Sequence, residues 1–169
     1  MARHLAANKI VIVYGGGNVG LMGALADASL DAGGDVIGVI PRMLVEKEIA
    51  HSGLTDMRVV GSMHERKALM AELSDAFIAL PGGYGTFEEF CEVLTWTQLG
   101  LHRKPCGLLN VEGYYDDLLA LFDHAVEERF LGLAYRQMVV SDSSPGSLVS
   151  RLLECEVPLV DKWIDRKQT

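Results

Sequence analysis

The sequence is poor in cysteine, in positive charge and in long apolar runs, and each shortage removes a class of function. Its three cysteines, Cys91, Cys106 and Cys155, show no C-x-x-C spacing. An odd, scattered set supports neither a disulfide framework nor a structural zinc site. The five histidines form no H-E-x-x-H and no His/Cys cluster, so no metal is expected. Fifteen Lys and Arg stand against 23 Asp and Glu, a formal net charge of −8. A chain this acidic is badly suited to coating a nucleic acid backbone or an anionic membrane, although a local basic pocket for a small anion is compatible with it. No apolar run reaches the roughly 20 residues of a membrane span. The opening residues carry no signal-peptide core, and no internal repeat, linker or low-complexity segment is visible. A soluble, reduced, cytoplasmic protein is expected.

What is present reads as a folded α/β domain. Hydrophobic residues make up 49% of the 169 positions and charged residues 22%. Residues 1–169 are expected to form a single nucleotide-binding Rossmann-like domain. Short apolar runs at 10–14, 35–40, 57–60, 76–80, 105–110 and 137–140 read as strands, apolar on both faces as in a covered parallel sheet. Helical stretches at 21–32, 65–74, 86–99, 116–128 and 147–154 separate them. This alternation predicts a doubly wound parallel sheet with helices on both faces. Residues 2–8 look like the end of a helix, and 158–169 like a partly docked tail.

Two glycine-rich turns each follow a strand and precede a helix. The first contains Gly15, Gly16, Gly17 and Gly20; the second is Pro81-Gly82-Gly83-Tyr84-Gly85-Thr86. Glycine lets a ligand come close to the backbone, and a helix start behind it supplies unpaired amides and the positive end of the dipole. Gly15, Gly17 and Gly20 fit a dinucleotide spacing, but no acidic residue ends the next strand, and no G-K-[ST] makes a P-loop. After the second turn, Glu88 and Glu89 are expected in the first turn of a helix. A third element is Met63-His64-Glu65-Arg66-Lys67, where two cations early in a helix oppose its dipole unless an anion is bound. Surface pairing of these cations with Glu65 or Glu72 is the structural alternative, and His64 reads as a cap or surface residue.

The run Pro81-Gly82-Gly83-Tyr84-Gly85-Thr86-Phe87-Glu88-Glu89 resembles the PGGxGTxxE motif of the LOG family, the cytokinin riboside 5′-monophosphate phosphoribohydrolases. The stretch 63–67 is similar to that family's second motif, with its Arg-Lys pair, and VYGGGNVGLMG to its first turn. The resemblance covers residues from about 3 to about 142. Proteins of this kind are also labelled lysine decarboxylases, yet nothing in the sequence marks a lysine site for pyridoxal phosphate.

The resemblance implies that Arg66 and Glu89 are the catalytic pair. It implies that Gly83, Tyr84, Gly85 and Thr86 bind phosphate, with Phe87 and Glu88 in the same substrate-binding stretch, and that Glu48, Lys67 and Thr95 contact substrate. The implied reaction hydrolyses the N-glycosidic bond of a nucleoside 5′-monophosphate without a cofactor, in a homodimer built on the apolar helix with exposed-looking Trp96 and Leu99. The family's usual opening strand and turn, of the type VFCGSS, is missing here. A non-catalytic nucleotide or cofactor carrier on the related fold is the alternative. A DNA-processing protein on such a fold is disfavoured by the net charge.

Overall fold

The computed structural model describes residues 1–47 and 50–157, so the expected tail at 158–169 lies outside the described residues. The chain divides into two compact units, Met1–Ser74 and the part beginning at Asp75.

The first unit holds a parallel sheet in the order β1 (Ile12–Tyr14), β2 (Val36–Pro41), β3 (Asp56–Val60). Ile12 stands in register with Val36, and Ile37 with Asp56. β2 is central, and its Val36, Val39 and Ile40 are almost wholly removed from water. That is the burial expected of a parallel strand covered on both faces. Around the sheet lie α1 (Ala2–Ala7), α2 (Leu21–Leu30), α3 (Arg42–Val45) and α4 (Met63–Leu73). Gly33, with φ of +75°, stops the chain beyond α2 as its sequence suggests. A Cβ on Gly34 would lie 2.7 Å from both Ala6 Cβ and Ser29 Oγ, so its absence lets α1 close onto the end of α2.

The second unit repeats the scheme with β4 (Phe77–Ala79), β5 (Cys106–Leu109) and β6 (Val139–Asp142), parallel and in that order. Its helices are α5 (Tyr84–Gln98), α6 (Asp116–Glu127), α7 (Leu133–Arg136) and α8 (Pro145–Leu153), with a 3₁₀ turn at Val111–Gly113. β5 is buried throughout, and Gly107 leaves room there for Leu148 and Leu152 of α8. Ala79, Phe90, Cys106, Leu108 and Tyr115 form the core, with Phe87 and Leu94 packed against it.

Among the described residues the six strands overlap the runs read from the sequence, in an α/β fold of parallel strands alternating with helices; β6 begins two residues later than expected, because Gln137 caps α7. α3 and α7 are too short, at four residues each, to carry a periodic signal. α5 begins two residues before the expected start. Among the described residues, no helix is long and apolar enough to cross a membrane.

Candidate active site

The first unit builds a seat for an arginine. β1 ends at Tyr14, whose buried hydroxyl donates to the Gly17 carbonyl at 3.0 Å. Burial, and then the nearby Asp27 charge, push this phenol up to about 12, so it stays a neutral donor. Gly16 takes a positive φ of +71°, and a Cβ there would press on Ile40 and on Met57 Sδ. The turn thus lies tightly on β2 and β3.

α4 is fixed at its start by Ser62, whose Oγ accepts the Glu65 amide at 3.1 Å, while Glu65 Oε2 accepts the Gly61 amide at 2.6 Å. These reciprocal bonds satisfy two amides at the helix start. Ser62 is therefore the cap; His64 is exposed on the surface. Arg66 follows in the next turn, half-buried, and its Nε donates to the Val39 carbonyl at 3.2 Å. Nη1 lies 3.8 Å from Met63 Sδ. A Cβ added to Gly15 would fall 1.6 Å from Arg66 Nη2 and 2.8 Å from Cζ. The side chain that Gly15 lacks is the space the guanidinium fills. Lys67 is half-buried on the same helix. Glu48 lies outside the described residues.

The second unit builds a helix terminus. Gly83 is the N-cap of α5, so Glu88 and Glu89 stand in its second turn and not in its first. Phe87 donates to the Gly83 carbonyl at 3.1 Å. The amides of Tyr84, Gly85 and Thr86 precede that bond and have no acceptor within the helix. A Cβ at Gly83 or Gly85 would meet nothing within 4 Å, and neither residue has a positive φ. The fold itself does not require glycine there, and the backbone amides at these positions stand open on the side a Cβ would cover. Gly82 differs, because a Cβ on it would lie 2.2 Å from Thr86 Oγ1. Tyr84 is 93% exposed. The Phe87 ring meets Tyr115 edge-on at 6.3 Å and belongs to the core.

Two residues that sequence reasoning missed hold this loop. Tyr114 donates to the Gly82 carbonyl at 2.6 Å, and Tyr115 to the Leu80 carbonyl. Tyr115 is fully buried, and its own amide donates to Asn110 Oδ1 at 2.7 Å. Burial, and then Tyr114, push its phenol up to about 12, so it too remains a donor. Together the phenols fix the Leu80–Pro81 and Gly82–Gly83 peptide planes. The only sequence signal is a Tyr-Tyr pair shortly after a strand end. Tyr115→Phe is expected to leave the Leu80 carbonyl without its partner and to lower stability by about 1–3 kcal/mol. Tyr114→Phe, at a half-exposed position, should cost less. Urea melts, with calorimetric titration of AMP, measure both.

α5 does not bring every expected residue to its N-terminus. Glu88 is exposed and Glu89 half-buried. Thr95 is six residues beyond Glu89, about 9 Å along the axis and on a different face. Its hydroxyl donates to the Cys91 carbonyl at 2.7 Å. It borders a cavity of about 150 Å³ with Cys91, Leu94, Gln98, Tyr135 and Arg136, away from the loop at 83–86. Burial, and then Glu88, raise the Cys91 thiol above its ordinary value, and burial takes Cys106 to about 12. Neither is poised as a thiolate nucleophile.

Parallel strands alternating with helices, with a glycine turn after β1 and a helix terminus after β4, define a Rossmann-like α/β protein. The family model described as "Possible lysine decarboxylase" matches residues 22–152. A cytokinin riboside 5′-monophosphate phosphoribohydrolase of Rhodococcoides fascians is 59% identical over 141 residues, 83% of this chain and 71% of the relative. One of Arabidopsis thaliana is 50% identical over 167 residues, 99% of this chain and 78% of the relative. The chain belongs to this LOG family. Among solved structures, the molybdenum cofactor binding protein of Rippkaea orientalis superposes with a TM-score of 0.68 at 24% identity, over 90% of this chain and 82% of that one. That likeness speaks for the fold alone.

Proposed function

We propose that this protein hydrolyses the N-glycosidic bond of nucleoside 5′-monophosphates, N6-substituted adenosine monophosphates among them, releasing the free base and ribose 5-phosphate. The observation that carries the reading is the N-terminus of α5. Three amides without helical acceptors and two glycines facing open space precede Glu89 on the same helix. Gly85 and Glu89 are about 6 Å apart along the axis. A phosphate held by the amides would keep its ribose near the carboxylate.

Breaking the bond builds positive charge on the ribose. Glu89 stabilises that charge or orients the attacking water. Arg66 is permanently cationic and a poor proton donor. It serves as a phosphate anchor. Anchoring the phosphate turns remote binding energy into alignment at the reacting carbon. A carrier needs no carboxylate at the ribose, which favours the enzyme.

Chromatography after incubation should show adenine and ribose 5-phosphate from AMP, with adenosine cleaved far more slowly. Equal rates on the two would remove the phosphate-anchoring step. We also assign the chain to a homodimer built on α5, because Leu99 and Leu101 at its end are 53% and 69% exposed. Trp96, expected at the surface, is half-buried and meets His102 edge-on at 6.5 Å, so it contributes less to that face. Sedimentation at micromolar concentration should show the dimer; an 18.4 kDa species alone would count against it. A cytoplasmic setting suits the three free cysteines.

A further inference from the structure

His51 is the one buried histidine among the described residues, at 9% exposure. Its ring is bonded on both sides. The Gly53 amide donates to Nδ1 at 3.0 Å, and an amide can only donate, so Nδ1 is the acceptor. The ring proton of the neutral imidazole is therefore on Nε2, which donates to Asp27 Oδ1 at 3.0 Å. Asp27 belongs to α2, and its side chain is 64% exposed.

The backbone of His51 engages a different element. Its amide donates to the Gly16 carbonyl at 2.9 Å, and Ala50 pairs with Gly17 in an antiparallel bridge. The Tyr14 hydroxyl also donates to the Gly17 carbonyl. One residue thus links α2, the approach to β3 and the glycine turn. The turn has little freedom inward, since a Cβ on Gly38 of β2 would lie 2.9 Å from Gly16 Cα. Its remaining freedom is outward, away from β2. The contacts of His51 oppose that movement. The next residue back, Gly15, is where the Arg66 guanidinium rests.

We propose that His51 is a positioning residue, which through its bond to Asp27 braces the turn at residues 15–17 and so fixes the Arg66 guanidinium over Gly15. The proposal rests on the reading of Arg66 as part of the machinery, and it adds a residue that acts through the turn without touching substrate. An ordinary core histidine would stabilise the fold and leave the turn and Arg66 indifferent to its hydrogen bonds.

Two readouts on the full chain separate these roles. The first is amide hydrogen exchange over residues 14–20 in wild type, His51→Ala and His51→Gln. Glutamine places a side-chain N–H near the position of Nε2 and can still reach Asp27. His51→Ala should speed exchange in the turn by about tenfold, a local opening of the kind exchange detects, and His51→Gln should restore most of the protection. The second is a double-mutant cycle with Arg66→Ala on AMP hydrolysis. His51→Ala should lower kcat/KM by about tenfold in the wild-type background and hardly at all without Arg66, the non-additivity of coupled residues. Wild-type protection of the turn in His51→Ala, or fully additive losses, would overturn the proposal. Should His51→Ala fail to fold, exchange in His51→Gln decides: fast exchange there overturns the Asp27 brace, and protection supports it. Should the wild-type chain leave AMP intact, the proposed reaction falls, and the exchange readout still decides whether His51 braces the turn.

Discussion

Glu89→Gln should slow AMP hydrolysis by about 100- to 1,000-fold, the equivalent of about 2.7–4 kcal/mol for one preorganised electrostatic group. Glutamine keeps the shape and much of the hydrogen bonding of glutamate and removes only the charge proposed to stabilise the developing ribosyl cation. Binding of AMP should change much less, because the amides of Tyr84, Gly85 and Thr86 are untouched. Glu88→Gln is the internal control. It lies one residue away, about 100° around the helix, and its side chain is exposed. Arg66→Ala completes the set. It should weaken binding and turnover together if Arg66 anchors phosphate, and turnover alone if it does not. Steady-state kinetics and calorimetric AMP binding on the three variants read these outcomes. Near-wild-type turnover in Glu89→Gln would sink the mechanism and put the carrier first.

Gly15→Ala should bring turnover down toward that of Arg66→Ala while the protein stays folded. The new methyl carbon would stand 1.6 Å from Arg66 Nη2, far inside any contact distance. The atom it displaces is the far end of a flexible side chain, so the guanidinium gives way before the backbone does. Gly15 has no positive φ, which leaves backbone strain out of the account. Gly83→Ala supplies the contrast. Its Cβ meets nothing in the protein, so stability should hold, and the loss should appear in AMP affinity. Thermal melts and kinetics on both variants separate a seat for a side chain from a seat for a ligand. A fully active Gly15→Ala would show that the placement of Arg66 is not needed.

The strands were legible because each is a short β-branched or apolar run ending near glycine or proline, such as 10–14 before Gly15 and 76–80 before Pro81. The start of α5 was less so. Gly83 and Gly85 look like loop residues, and the helix nevertheless begins at Tyr84, which moves Glu88 and Glu89 into its second turn. Gly15 was legible as a glycine a turn would want; its role under Arg66 was not, since the two residues are far apart in the chain. The same distance hides Tyr115, whose hydroxyl reaches the Leu80 carbonyl, and His51, whose ring reaches Asp27. Backbone carbonyls carry no sequence signal, so a side chain that serves one looks like any other core residue.

The strand order has a bearing on how the chain comes off the ribosome. Each sheet uses only its own three strands, taken in the order of synthesis. Among the described residues, no strand pairing spans more of the chain than that between β5 and β6, where Cys106 meets Val139. Every pairing of the first sheet is complete once Val60 has emerged, before any strand of the second exists. The first unit can therefore settle its apolar interior during translation, as N-terminal parts of a chain tend to do. A nascent chain arrested far enough beyond Ser74 for the first unit to have left the ribosome should already resist protease across β2.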